Sequence, residues 1–217
     1  FRSVIDYQNF LERFDIILTE TDTPCYAWAL MPNHVHLLLR TGEVPLSTVM
    51  RRLLTGYAQQ FNRQHKRHGQ LFQNRYKSIV CQEDKYFKEL VRYIHLNPLR
   101  VNLVKNLSGL DRYLYSGHSA LMGKKARSWQ DTDYVLKLFS RRKVTARKRY
   151  REFVRQGITE GRRPELVGGG LIRSLGGWQA VKMIRGKGLR IKGDARILGD
   201  SDFVDGVLKA SQDKLER

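Results

Sequence analysis

The first apolar positions of the chain follow the helical period, and the next follow the strand period. Spacings of three and four between apolar residues predict a helix over residues 4–18. The apolar run 25–30 and the alternation over 30–39 predict two neighbouring strands, with Pro32 and Asn33 in the tight link between them. The chain therefore begins with a predicted helix and a predicted hairpin.

A second set of elements follows a turn over residues 41–45. An apolar stripe predicts a long helix over 46–68, with Ser47 as a candidate N-cap. Residues 76–81 then predict a strand, and residues 83–98 an amphipathic helix with an acidic first turn. Helices and strands are thus mixed along the first hundred residues.

The second half of the chain is mainly helical in pattern. Ser201 is a candidate cap for the last predicted helix, Gly168–Gly170 predicts a flexible joint, and the basic segment 186–193 is either a loop that reaches a ligand or a plain linker. The predicted helices span residues 132–139, 145–156, 171–185 and 203–215.

Charge narrows the class of partner. The 217 residues include 40 Lys and Arg against 21 Asp and Glu, a net charge of +19, which indicates a polyanionic partner, with nucleic acid first. No apolar run approaches the 18 residues of a membrane span, so we expect no membrane partner. The two cysteines, Cys25 and Cys81, are far apart and indicate neither a zinc knuckle nor a disulfide framework, as expected for a reducing cytoplasm.

One segment concentrates the positive charge. Residues 141–151 hold seven basic residues and no acid, and we expect these unpaired charges to contact a phosphate backbone rather than form a merely solvated face. With basic residues elsewhere, the predicted DNA contacts are Arg75, Lys77, Arg100, Arg141, Arg142, Lys143, Arg147, Lys148, Arg149 and Arg151.

Two further patterns carry candidate chemistry. On a strand, His34 and His36 point to the same face, which gives two neighbouring imidazoles. On the helix that follows, Tyr93 and Asn97 are four residues apart and share a face, so a phenol and an amide oxygen could approach the two histidines together. Alone, the two histidines could equally be polar positions of a half-buried strand.

Together, the segments Pro32–His36 and Tyr93–Pro98 resemble the HUH-type single-tyrosine transposases of insertion sequences, and more closely the REP-associated tyrosine transposases. Segments 69–77 and 97–100 also match, so the resemblance covers about the first 120 residues. In that family a strand precedes the first helix, so we expect that strand to be missing here. With it restored, the element order predicts an α+β fold, a ferredoxin-like antiparallel sheet with packed helices followed by a smaller basic helical region.

The resemblance implies a division of the chain into two domains and a nucleic-acid partner. Residues 1–125 would form the transposase domain and residues 126–217 a basic helical DNA-binding region. The partner would be single-stranded or hairpin DNA, cleaved near an imperfect hairpin. A monomer and a homodimer both stay open.

The implied chemistry is phosphodiester cleavage. A diester repels nucleophiles, so we expect a divalent metal, Mg²⁺ or Mn²⁺, to be held by His34, His36 and Asn97. Tyr93 would then attack phosphorus and form a 5′-phosphotyrosine, with Tyr86, one helical repeat earlier, as the alternative nucleophile.

Two other classes compete with this enzyme. A non-catalytic nucleic-acid-binding protein on the same scaffold would use the histidines and Tyr93 as ordinary surface groups. A zinc hydrolase is disfavoured, because no third histidine or carboxylate stands at a ligand spacing near the pair.

Overall fold

The computed structural model describes residues 1–161, 163, 166, 194 and 196–215. Its elements group into two compact units, one made of residues 1–76 and 94–159 and the other of residues 77–93 and 160–217. This division follows packing, and the functional boundary that we place after residue 125 stays a prediction.

An antiparallel hairpin lies at the centre of the first unit. Strand β1 (Cys25–Leu30) pairs with β2 (Val35–Leu39), and Ala29 stands opposite His36. The backbone N–H of Met31 donates to the carbonyl of His34 over 2.9 Å and closes the link through Pro32 and Asn33. The predicted pair of strands is confirmed.

Two helices share a core with one face of this hairpin. Helix α1 (Val4–Glu20) begins with a capping box between Ser3 and Asp6, and α2 (Leu46–Gln64) packs against α1. Side chains of alternate residues in each strand enter this core. In β2 the residues between them, including His36, therefore face away from the core. The core includes Phe10, Phe14, Ile17, Trp28, Leu30, Val49, Leu53, Tyr57 and Phe61, with Val35, Leu37 and Leu39 packed against it.

Further helices complete the first unit. These are α4 (Leu107–Asp111), α5 (His118–Leu121), α6 (Thr132–Lys137) and α7 (Lys143–Gln156). Gln130 ties this region to β1, because its Oε1 accepts the indole N–H of Trp28 at 2.9 Å and its Nε2 donates to the Gly117 carbonyl at 3.1 Å.

Helix α3 (Glu83–Arg100) contributes residues to both units. In the second unit β3 (Val80–Cys81) pairs in parallel with β4 (Ile197–Leu198), which precedes α8 (Ser201–Leu215). The guanidinium of Arg92 in α3 lies 2.6 Å from a carboxylate oxygen of Glu89 and 2.7 Å from one of Glu160.

The predicted α+β class, with its antiparallel sheet and packed helices, is confirmed. The strand predicted over residues 76–81 is limited to Val80 and Cys81, because in the described part of the chain only these two of its residues pair with β4. The long helix ends at Gln64 rather than at His68, since Lys66 adopts a left-handed backbone with φ of 48°.

Both predicted serine caps are wrong. Ser47 lies inside α2, which follows Pro45 without a side-chain cap. Before α8 the cap is Asp200, whose Oδ1 accepts the backbone N–H of Phe203 at 3.0 Å. The predicted helix 171–185, the joint Gly168–Gly170 and the basic segment 186–193 lie outside the described residues.

Candidate functional site

The hairpin brings the two histidines together as strand alternation predicts. His34 is exposed at the end of the link and His36 is half-buried in β2. Their Nε2 atoms are 3.1 Å apart, and the ring planes meet at 86°. Two nitrogen atoms therefore converge on one point at the surface of the sheet.

Both imidazoles are neutral near pH 7. Burial lowers the pKa of His34, and burial together with the charge of His34 lowers the pKa of His36 to about 4. His34 Nδ1 lies 2.7 Å from Oδ1 of Asn33, an acceptor, so the ring proton sits on Nδ1 and the lone pair on Nε2.

This geometry fits a divalent metal. Two nitrogen ligands at about 2.1 Å from an ion and at right angles to one another would be about 3 Å apart. The observed separation of 3.1 Å is close to that value. In the described part of the chain no group of three or more His, Cys, Asp or Glu side chains converges, so further ligands would have to be amide oxygen, substrate or water.

Helix α3 carries the other two predicted site residues. Asn97 is buried in the first unit, where its Nδ2 lies 3.5 Å from the Ile94 carbonyl, at the limit of a hydrogen bond. Tyr93 is half-buried and belongs to the second unit. The metal-ligand role of Asn97 and the nucleophilic role of Tyr93 stay predictions.

Tyr86 is poorly suited to act as the nucleophile. Burial, and then the negative charge of Asp200, raise the pKa of its phenol. A raised pKa disfavours the phenolate that attacks phosphorus.

Residues 2–97 match the family described as "Transposase IS200 like". No curated protein and no solved structure matches the chain. The matched segment includes His34, His36 and Tyr93 and ends at Asn97. The match supports a relationship to the IS200-like transposases over this segment, while the closer likeness to REP-associated enzymes stays a prediction.

The residues beyond the IS200-like segment include most of the predicted DNA contacts. The expectation that the run 141–151 is unpaired is wrong for four residues, because folding brings acceptors close to them. Lys143 pairs with Asp133 at 2.9 Å and Arg151 with Asp111 at 2.8 Å. Arg147 and Arg149 donate to the carbonyls of Leu121 and Phe139, each at 3.1 Å.

The remaining predicted contacts differ in exposure. Arg100 has its Nε and Nη1 atoms buried. Five others are exposed at the surface: Arg75, Lys77, Arg141, Arg142 and Lys148. These five are the better candidates for phosphate contacts.

Within the described residues, no helix has the length and apolar character needed to cross a lipid bilayer.

Pattern analysis missed two features of the site. Asn33 was predicted only as a turn residue, yet it holds the His34 ring. The bond between His95, which is fully buried, and Tyr150 was not predicted at all. An amide beside a histidine could have indicated the first feature, whereas no sequence spacing links residues 95 and 150.

Proposed function

We propose that the protein is a single-stranded DNA endonuclease and strand transferase of DNA transposition, which recognises hairpin DNA and cleaves nearby. The observation that carries the proposal is the neutral imidazole pair, with Nε2 atoms 3.1 Å apart, inside the segment that matches a transposase family. At that separation the two Nε2 atoms are close enough to bind one ion together.

In this proposal His34 and His36 hold Mg²⁺ or Mn²⁺, with Asn97 as the third protein ligand. Two imidazoles and an amide oxygen form a neutral and partial ligand set, and Mn²⁺ accepts imidazole more readily than Mg²⁺. When bound, the ion would neutralise charge on a phosphate oxygen and orient the phosphorus. Asn33 keeps the His34 proton on Nδ1 and thus keeps Nε2 available as a ligand.

Tyr93 supplies the nucleophile. Its phenolic oxygen forms a bond to phosphorus as the bond from phosphorus to the 3′ oxygen breaks; the phenol loses its proton and the departing 3′ oxygen gains one. A phenol, with a pKa near 10, is a much stronger acid than a sugar hydroxyl. The phosphotyrosine therefore keeps the energy of the diester, and a DNA 3′-OH can reverse the step without ATP.

The test is a search for the covalent intermediate. The protein is incubated with Mn²⁺ and a labelled single strand that contains a hairpin, and a protein–DNA adduct that survives denaturation is expected. Tyr93→Phe removes one oxygen, so the folded state should change little while the adduct disappears. Tyr86→Phe is the matched control on the same helix and should still form it.

Two results would contradict the assignment. An adduct kept by Tyr93→Phe and lost in Tyr86→Phe would move the nucleophile to Tyr86. Retained DNA binding with no adduct under any divalent metal would favour the non-catalytic nucleic-acid-binding protein.

A further inference from the structure

A series of buried hydrogen bonds crosses the first unit and ends on α3. The Tyr150 hydroxyl lies 2.8 Å from Nδ1 of His95 and 2.7 Å from Nδ1 of His118. His118 Nε2 lies 2.9 Å from Oδ1 of Asp111, and Oδ2 of that carboxylate accepts from Arg151 at 2.8 Å. His95, His118 and Tyr150 are each 0% exposed, so no bulk water replaces these bonds.

Only one assignment of donors and acceptors is consistent along this series of hydrogen bonds. Burial opposes ionisation of Asp111, but hydrogen bonds from His118 and Arg151 outweigh it and lower the pKa of that carboxyl. A carboxylate only accepts, so His118 Nε2 carries a proton. Burial lowers the pKa of His118, so the ring is neutral and its Nδ1 accepts the hydroxyl proton of Tyr150.

The last bond in the series follows from the others. Because its own proton goes to His118, the Tyr150 oxygen must accept the Nδ1–H of His95. A hydrogen bond of fixed direction therefore joins α7 to α3.

This bond constrains the rotation of α3 about its axis. Successive helical residues are about 100° apart, so His95 and Asn97 point about 200° apart on the same rigid helix. A rotation that broke the bond between His95 and Tyr150 would turn Asn97 by the same angle. An apolar side chain in place of Tyr150 could fill the volume, but it would select no single angle.

We propose that Tyr150 is a positioning residue for the candidate metal site. By holding His95 it fixes the rotation of α3 and so the direction in which Asn97 is presented. The inference rests on the proposed function, in which Asn97 is a metal ligand. Groups that orient metal ligands from outside typically change metal affinity by about 10–100-fold when removed.

The test compares two buried tyrosines in the full-length chain. Tyr150→Phe should raise the Kd for Mn²⁺, measured by titration calorimetry, at least about tenfold. Tyr57→Phe is the matched control, since its hydroxyl is buried without a hydrogen-bond partner in the described part of the chain. Removing that oxygen breaks no bond, and the Kd should stay at the parent value.

A measurement without metal separates positioning from general stability. The side-chain amide resonances of Asn97, observed by NMR in the metal-free protein, should shift in Tyr150→Phe and stay in place in Tyr57→Phe. If Tyr150→Phe does not fold, two variants of His95 test the same hydrogen bond. His95→Asn keeps an N–H donor near the Nδ1 position and should bind Mn²⁺ almost as the parent does, whereas His95→Leu should bind more weakly.

The outcomes are distinct. A parent-like Kd in folded Tyr150→Phe, or equal Kd values for His95→Asn and His95→Leu, would overturn the positioning role and leave the metal site intact. A parent protein that binds no Mn²⁺ would overturn the metal site itself, and this inference with it.

Discussion

At the scale of single residues, Asn33 decides what the histidine pair can do. Neutral His34 can carry its proton on either ring nitrogen, and only the form with the proton on Nδ1 leaves Nε2 able to bind a cation. The 2.7 Å contact with Asn33 Oδ1 selects that form. The turn residue is therefore also an orienting group for a candidate metal ligand.

We expect Asn33→Ala to weaken Mn²⁺ binding by about tenfold, because His34 loses the acceptor that fixes its tautomer. Asn33→Asp keeps an oxygen acceptor and should bind at least as tightly as the parent. Asn9→Ala, which removes an amide bonded to Gln64 in the same unit, is the control and should leave the Kd unchanged. Isothermal titration of the four proteins makes the comparison, and an unaltered Kd in Asn33→Ala would remove Asn33 from the site.

The same residues show how far sequence predicts a site. Strand alternation was sufficient to bring His34 and His36 together, because the direction of a side chain on a strand depends only on its position. The bond between His95 and Tyr150 joins residues 55 apart in the chain. Periodicity describes one helix at a time, so it does not predict which residues of two different helices contact each other.

At the scale of elements, α7 shows that basic residues which look unpaired in the sequence can have partners in the folded protein. Seven basic residues lie in segment 141–151, yet the fold supplies acceptors to Lys143, Arg147, Arg149 and Arg151. These side chains fix α7 to its neighbours. Arg141, Arg142 and Lys148 are exposed, and their side chains have no partner among the described residues.

Two triple variants separate these roles. Replacing Arg141, Arg142 and Lys148 with Gln should weaken binding of single-stranded DNA and flatten its salt dependence by roughly 0.7 units of slope for each phosphate that is no longer neutralised. The free energy of unfolding should stay near the parent value. The matched triple, with Gln at 147, 149 and 151, should lower stability and change the slope less.

The measurements are fluorescence anisotropy over a range of salt concentrations and urea denaturation. A slope that flattens only in the second triple would show that DNA competes for the arginines that the fold holds. Equal slopes in all three proteins would make the whole segment a solvated face.

The bounds of the elements show the same limit of prediction. The strand over residues 25–30 was predicted to the residue, because a short apolar run between turn residues has few alternatives. Helix ends were less predictable. Asp200 caps α8 although Ser201 is an equally good capping type, and only the backbone direction distinguishes the two.

At the scale of the whole molecule, each compact unit has its own means of stabilisation. The first has an extended apolar core. The described part of the second includes a buried guanidinium, Arg92, which is 6% exposed and contacts Glu89 and Glu160. Arg163 contacts the same two carboxylates at 3.3 Å and 2.6 Å, so two arginines and two glutamates form one network.

We expect Arg92→Met to destabilise the second unit. Methionine keeps much of the apolar volume of the side chain but leaves Glu89 and Glu160 with one cation in place of two. The local free energy of opening should fall by roughly 1–3 kcal/mol, because hydrogen bonds between charged groups in a partly buried network are lost. Hydrogen exchange followed by mass spectrometry should show faster exchange over residues 77–93 and 197–208, with residues 25–39 at the parent rate.

Arg155→Met is the control for this substitution, since Arg155 pairs with Glu152 on the solvent side of α7 and an exposed pair contributes little to stability. Its exchange pattern should match that of the parent. A second outcome would contradict the expectation: if Arg92→Met accelerated exchange in β1 and β2 as much as in β3 and β4, the two units would open as one cooperative body, because only a shared unfolding equilibrium transmits a local loss to every amide.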